Sequence, residues 1–403
     1  MRDIRFLMLV MARSNASLLV GNRTAWRRGH ATLPARSGSG VLFTLVVLCI
    51  ASLLRVPPAA SLRQSQVRGS VEILLSEENA YNPIPSPDGK MIAYVRTGWG
   101  RLGGSGGFGS SNLLSDVEVM DGNGVVITKR PLADAFLAGW TPDGEKLACF
   151  RDWSYSLVTL AVEPSEGGEL PGKAHWTERT ERVSYLPSLG SIAWSTRDRP
   201  SHTSIETPQA KIAQHDGWLG EFLVPSPDGK YLAVFDGSIG SHIWIYDNDR
   251  EEWSDLGVLT VHPDEYWDHI KPTWNPWFPD SSRLAFISES NLIVSTPDGS
   301  ERISIPVGAH AGLAAPSPNG KSIAYVTFDP RPEESRPDLQ FWGGTIIWIV
   351  SATPDAKPHA VTRKNSSETY DLKWWGDGVL LFDRVEDVPF LKNARIWKVL
   401  LSR

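Results

Sequence analysis

One short turn motif recurs along this chain, and the same kind of strand follows it each time. Ser86-Pro87-Asp88-Gly89 precedes KMIAYV, and Thr141-Pro142-Asp143-Gly144 precedes EKLACF. Ser226-Pro227-Asp228-Gly229 precedes KYLAVF, Phe278-Pro279-Asp280-Ser281 precedes SRLAFI, and Ser317-Pro318-Asn319-Gly320 precedes KSIAYV. Pro187-Ser188-Leu189-Gly190 before SIAWS and Trp375-Gly376-Asp377-Gly378 before VLLFD are weaker copies, seven in all. Self-similarity at a period of 39–56 residues outweighs any domain count taken from the length of 403.

The physics of one copy is local. Pro presets φ at the first corner, Asp or Asn bonds its own backbone, and Gly takes a positive φ. Such a turn joins two antiparallel strands. The strand after it alternates large apolar, Ala and large apolar residues, with Ala at 93, 148, 193, 233, 285 and 324. A small residue at a fixed place predicts a crowded position between stacked sheets. Third strands are expected at Val117–Met120, His242–Tyr246, Asn291–Val294 and Thr345–Ile349. Fourth strands are expected at Val125–Lys129, Arg302–Ile305 and His359–Thr362. Four antiparallel strands per copy make a β-propeller blade. The expected fold is therefore all-β: a seven-bladed propeller over residues 70–403, or six-bladed if the third copy is not a blade. The last copy has room for one more strand, Ala394–Leu401, so Val71–Leu75 is expected to supply the missing one and close the ring.

The SPDGK-x-[IL]-A-[YF] pattern resembles the WD-like repeats of TolB-like β-propellers, over residues 70–401. That resemblance implies a propeller. It does not carry over the TolB partnership with a peptidoglycan-associated lipoprotein, because no α/β domain fits between the leader and Val71. The repeats are also similar to the propeller of prolyl oligopeptidases, whose hydrolase domain has no counterpart here.

Charge divides the sequence. Residues 1–70 carry ten Arg and one acid, whereas the rest hold 30 basic and 45 acidic side chains. An acidic body argues against a nucleic-acid partner, which needs a basic face. Residues 1–60 read as a leader and 61–69 as a linker. Within the leader, Val41–Leu54 is a fourteen-residue run without a charge, preceded by Arg23, Arg27, Arg28 and Arg36. That pattern predicts a secretory signal, or an uncleaved anchor helix with its Arg-rich end inside. The propeller is then expected outside the cytoplasm, periplasmic or membrane-anchored. With Cys49 in the leader, Cys149 has no internal disulfide partner.

Two enzyme signatures occur as strings. Gly98-Trp99-Gly100-Arg101-Leu102-Gly103 matches GxGxxG, and Gly103-Gly104-Ser105-Gly106-Gly107 matches GxSxG. Both need a helix next, and GSGGFGSSN cannot hold one. The stretch 262–280 gathers His262, Asp264, Glu265, Asp268 and His269 without a metal-ligand spacing, so it reads as a polar loop. No cofactor or metal is expected.

In an up-and-down blade the SPDG turns share one face. The long segments 97–116, 213–222, 260–273, 306–314 and 329–344 share the other. The candidate binding residues on that face are Trp99, Arg101, Trp218, Glu265, Trp267, His269, His310 and Trp342. Aromatic and charged side chains on loops of a rigid scaffold suit recognition. The expected function is a non-enzymatic binding or scaffold module for a protein or peptide ligand of the cell envelope, with a glycan as the other ligand type. The alternative is a carbohydrate-active or hydrolytic enzyme at the channel mouth.

Overall fold

The computed structural model describes residues 65–402, apart from 68–69, 77–78, 98–114, 129–130, 134, 152–153, 160–164, 170–179, 188–190, 200–201, 208–210, 217–221, 236–241, 260–273, 309, 333–339, 364–368, 370 and 389–390. They all belong to one compact unit, Leu62–Arg403. Among them, the strands form seven small antiparallel sheets and no helix longer than a single 3₁₀ position.

The first sheet holds Ala80–Pro85, Met91–Thr97 and Ser115–Asp121. The second holds Phe136–Trp140, Lys146–Arg151, Ser154–Thr159 and Ser165–Glu169. The third, at the weakest copy, holds Thr180–Leu186, Ser191–Arg199, His202–Glu206 and Lys211–Asp216. The fourth holds Phe222–Pro225, Tyr231–Phe235, His242–Asp247 and Glu252–Val258, and the fifth Leu284–Ser288, Asn291–Ser295 and Arg302–Pro306. The sixth holds Ala311–Pro316, Ser322–Pro332, Gln340–Ser351 and His359–Ala360. The seventh joins both ends of the chain, in the spatial order Ser65–Val67, Ser70–Leu74, Leu391–Leu401, Val379–Val388, Leu372–Trp374. Val71 pairs with Leu400 and Leu74 with Trp397, antiparallel. Small sheets that follow one another in the chain and pack on their sequence neighbours make a β-propeller-like fold.

The packing explains the repeat. Ala93, Ala148, Ala193, Ala233, Ala285 and Ala324 are all fully buried. Ala93, Ala193, Ala233, Ala285 and Ala324 each sit in an apolar cluster shared with an adjoining sheet, where a longer side chain would overpack the layer. The apolar clusters straddle sheets. Val95 and Val119 of the first meet Leu137 and Leu147 of the second. Phe235 and Ile245 of the fourth meet Leu284 and Phe286 of the fifth. Leu381 and Ile396 of the seventh meet Ile92 and Met120 of the first.

The turns follow the expected chemistry. The Ser86 hydroxyl donates to Asp88 Oδ1, which also accepts the Lys90 N–H, and Gly89 has φ +69°. The same bonds recur at Thr141/Asp143, Ser226/Asp228, Thr296/Asp298 and Ser317/Asn319. Hydrogen bonds to the carboxylate hold Asp88 and Asp298 at about 2, below the usual aspartate value. Where the fifth copy lacks glycine, Ser281 takes φ +60°, and its hydroxyl accepts the Asp228 N–H of the preceding sheet.

A second device was not anticipated. Trp140 Nε1 donates to the Ile84 carbonyl, Trp277 Nε1 to Val224 and Trp374 Nε1 to Ala315. Each Trp stands directly before its own turn, and each acceptor stands directly before a proline (Pro85, Pro225, Pro316) on the preceding sheet. An indole N–H withdrawn from solvent needs a partner, and this one staples two sheets. Changing Trp140, Trp277 or Trp374 to Phe keeps most of the ring but drops the bond. Each is expected to lower unfolding free energy by about 1 kcal/mol. Urea unfolding of the three single variants checks this, and unchanged midpoints in all three would remove the staple.

Three expectations need correction. Val125–Lys129 is not a full strand. It touches its sheet through the bridge Met120–Val126, and the Val119 carbonyl takes the Ile127 N–H. Residues 329–344 are not mainly loop, because strand runs to Pro332 and resumes at Gln340. The segment 213–222 opens as strand, since Lys211–Asp216 is the edge of the third sheet.

Candidate functional site

Within each sheet the SPDG turn closes the end of the inner strand, so the inner strands begin at the opposite end. The structure collects charge there, at the seam of the seventh and first sheets. Among the described residues, the buried charged side chains are Glu72, Glu118, Asp371, Asp383 and Arg384, all in or beside these two sheets.

The centre of the group is Lys373 on the inner strand Leu372–Trp374. Its ammonium donates to Asp371 Oδ2 at 2.5 Å, to Asn82 Oδ1 at 3.2 Å and to the Pro83 carbonyl at 3.1 Å. Asn82 reaches it because the inner strand of the first sheet is irregular between Tyr81 and Ile84, with Asn82 at φ +53°. Asp383 is fully buried, and its two oxygens accept the N–H groups of Asp371 (2.8 Å) and Asn82 (3.3 Å). Burial lowers the Lys373 pKa, against the opposing pull of Asp371 and Asp383. Burial, with the Asp383 charge, raises that of Tyr81.

Two further pairs flank this centre. Arg384 meets Glu72 of the N-terminal strand at 3.0 Å and lies over the Phe382 and Trp397 rings. Glu118 accepts the Tyr94 hydroxyl and pairs with Arg96 at 3.0 Å.

A lysine with a lowered pKa in a polar cluster is a pattern that active sites share with structural ion networks. Geometry decides here. An ammonium has three N–H donors, and all three of Lys373's are engaged with the protein. The cluster therefore acts as a clamp that ties the first repeat to the last.

The expected site residues fare unevenly. Trp99, Arg101, Trp218, Glu265, Trp267 and His269 lie outside the described residues. His310 is exposed at φ +63° just before the sixth sheet, and its carbonyl accepts the Phe328 N–H. Trp342 is not on a loop: it stands in a strand opposite Pro330. His215, which falls in the segment 213–222, stands in a strand too, with its ring 4.5 Å from Trp244 and 5.2 Å from Trp253. Among the described residues no group of three or more His, Cys, Asp or Glu side chains is placed to hold a metal. Nor is any helix among them long and apolar enough to cross a membrane.

The site residues that the sequence reading passed over are Asn82, Asp371, Lys373 and Asp383. One signal was available: Asp383 interrupts the apolar strand VLLF, where an acid must find buried partners.

At the end opposite the SPDG turns, two ribbons extend beyond the inner strands. In the sixth sheet the pairing of Ser322–Pro332 with Gln340–Ser351 runs past the inner strand, to Pro332 opposite Gln340. In the seventh, Val379–Val388 and Leu391–Leu401 stay paired to Val388 opposite Leu391, while the inner strand reaches only Phe382. The two sheets are neighbours, packed through Val326, Ile347, Leu380 and Phe382.

No family model matches the chain, and no curated protein does. Solved structures do resemble it. A Kuenenia stuttgartiensis hydrazine synthase is 17% identical, with 61% of this chain and 75% of that one covered at a TM-score of 0.38. A TolB from Agrobacterium tumefaciens is 15% identical over 67% of this chain and 92% of that one, TM-score 0.38. A eukaryotic initiation factor is 16% identical over 81% and 86%, TM-score 0.39. Likeness at this level assigns no function, and the fold statement above rests on the strands themselves.

Proposed function

We propose that this chain is an extracytoplasmic β-propeller of seven blades that binds a protein or peptide of the cell envelope and carries out no catalysis of its own. In this reading residues 70–403 form one TolB-like propeller behind a leader, and the strand Ser70–Leu74 closes the ring on Trp397–Leu401. The observation that carries the binding role is the pair of ribbons on the sixth and seventh sheets. Both rise from the end opposite the SPDG turns, on sheets locked together by a shared core. Rigid ribbons offer backbone donors and acceptors along their free edges, which an extended peptide can pair with. The SPDG turns have no such freedom, because their side chains are committed to the turn itself.

Site-specific photocrosslinking tests the reading. A crosslinking side chain at Phe341 or Val388 is expected to capture a protein partner in intact cells, and one at Asp88 or Asn319 is not. Capture at the turn positions alone would place the partner on the wrong face and end the proposal.

A further inference from the structure

Three consecutive apolar side chains stand in solvent on the outer edge of the first sheet. Val125 is 59% exposed, Val126 48% and Ile127 43%. A strand that lies flat on its sheet alternates in and out, so three exposed apolar residues in a row mark a surface meant for something else. The sheet has three full strands there, and the segment is held beside them by the bridge Met120–Val126 and by hydrogen bonds that join Val125 to Asp121 and Ile127 and Thr128 to Val119.

This edge adjoins the place where the chain enters the propeller. A Cβ at Gly124 would come within 2.4 Å of the Leu75 carbonyl oxygen, so the turn before Val125 is pressed against the end of the strand Ser70–Leu74. That strand and Ser65–Val67 are the outermost strands of the seventh sheet. The exposed triplet and the entry strands therefore share one rim. Lys398 lies on the same side, its ammonium on the Gly122 carbonyl at 2.7 Å. Lys129 and Arg130 follow the triplet in sequence.

The chain upstream of Ser65 ends its apolar run at Leu54, eleven residues earlier. Eleven extended residues span at most about 40 Å. If the run is held in a bilayer, that length keeps the entry strand, and with it this rim, within about 40 Å of the lipid surface.

We propose that Val125, Val126 and Ile127, with Lys398 beside them, are a lipid-contacting edge that rests on the membrane surface. Apolar tips with flanking Lys and Arg are what an interfacial contact with anionic lipid requires. The proposal rests on the reading of residues 41–54 as an uncleaved anchor, and the test separates the two.

The test uses the full chain with Cys49→Ala and a new thiol, Val125→Cys, carrying an environment-sensitive dye. Cys149 will not compete, because it is buried and desolvation pushes its thiol up to about 12. A control chain carries the dye at Asp249→Cys, an exposed turn of the fourth sheet. Both are mixed with phosphatidylcholine and phosphatidylglycerol vesicles that contain a nitroxide-labelled lipid. Both chains should float with the vesicles, with most of the Val125 dye signal lost to quenching and the Asp249 signal retained. Flotation with an unquenched Val125 dye would overturn the lipid contact and leave the anchor standing. Failure to float would overturn the anchor and the contact together. A Val125 dye already shielded without vesicles, in a concentration-dependent way, would mean that a second copy covers the edge, and the lipid proposal would fall.

Discussion

Lys373→Met is expected to cost about 3–5 kcal/mol of unfolding free energy, which is a large part of what a domain of this kind has. The substitution keeps an unbranched side chain one atom shorter and removes the charge. Asp371 and the fully buried Asp383 then face each other's charge without a cation, and Asn82 and Pro83 lose a donor. Breaking one side of a buried ionic group costs far more than the group was worth, because the other side stays desolvated. A second substitution makes the point sharper. Lys373→Met together with Asp371→Asn removes one of the stranded charges, so the double variant is expected to be more stable than Lys373→Met alone. Equilibrium urea unfolding of the wild type and both variants measures this. A single variant within about 1 kcal/mol of wild type would show that the clamp carries no such weight.

Deleting residues 65–75 is expected to abolish the soluble monomer. The strand Ser70–Leu74 covers one edge of Leu391–Leu401, and without it five residues of ladder stand open. An open, apolar edge pairs with the edge of another molecule. Arg384 would also lose Glu72 while still confined between the Phe382 and Trp397 rings. Deleting only Ser65–Val67, the outermost strand, leaves Ser70–Leu74 in place and should be mild. Size-exclusion chromatography with light scattering distinguishes the cases. A monomeric 65–75 deletion with an unchanged Tm would contradict the role assigned to that strand.

The turns, the buried alanines and most strands could be read from the sequence because their causes are local. A Pro-Asp-Gly corner needs only its own residues, and a strand after it needs only alternation. Even the third copy, which lacks the Asp, formed a sheet where SIAWS predicted one. The long hairpin at 329–344 could not be read the same way. Pro330 and Pro332 argue against a strand in general, yet strand edges tolerate proline, and this ribbon is all edge past the inner strand. The ionic clamp was hidden for a different reason. Asn82, Asp371 and Asp383 are up to about 300 positions apart, and what joins them is the meeting of the first and last repeats. Periodicity announces what each repeat does alone. It is silent about residues that depart from the repeat, and those are the ones at the seam. The tryptophan staples lie between these cases, since Trp140, Trp277 and Trp374 recur at one place in the repeat, but their acceptors belong to another copy.

The seventh sheet also fixes an order of events. Its edge strand is among the first parts of this unit to leave the ribosome, and its partner, Leu391–Leu401, is the last. For most of synthesis Ser70–Leu74 has nothing to pair with, while the six sheets between are already able to fold. Contacts so distant in sequence are slow to form, because the ends must find each other across the whole intervening chain. The unit therefore spends its early life with two unsatisfied sheet edges at once. The ladder on Ser70–Leu74 is complete only when the last strand docks.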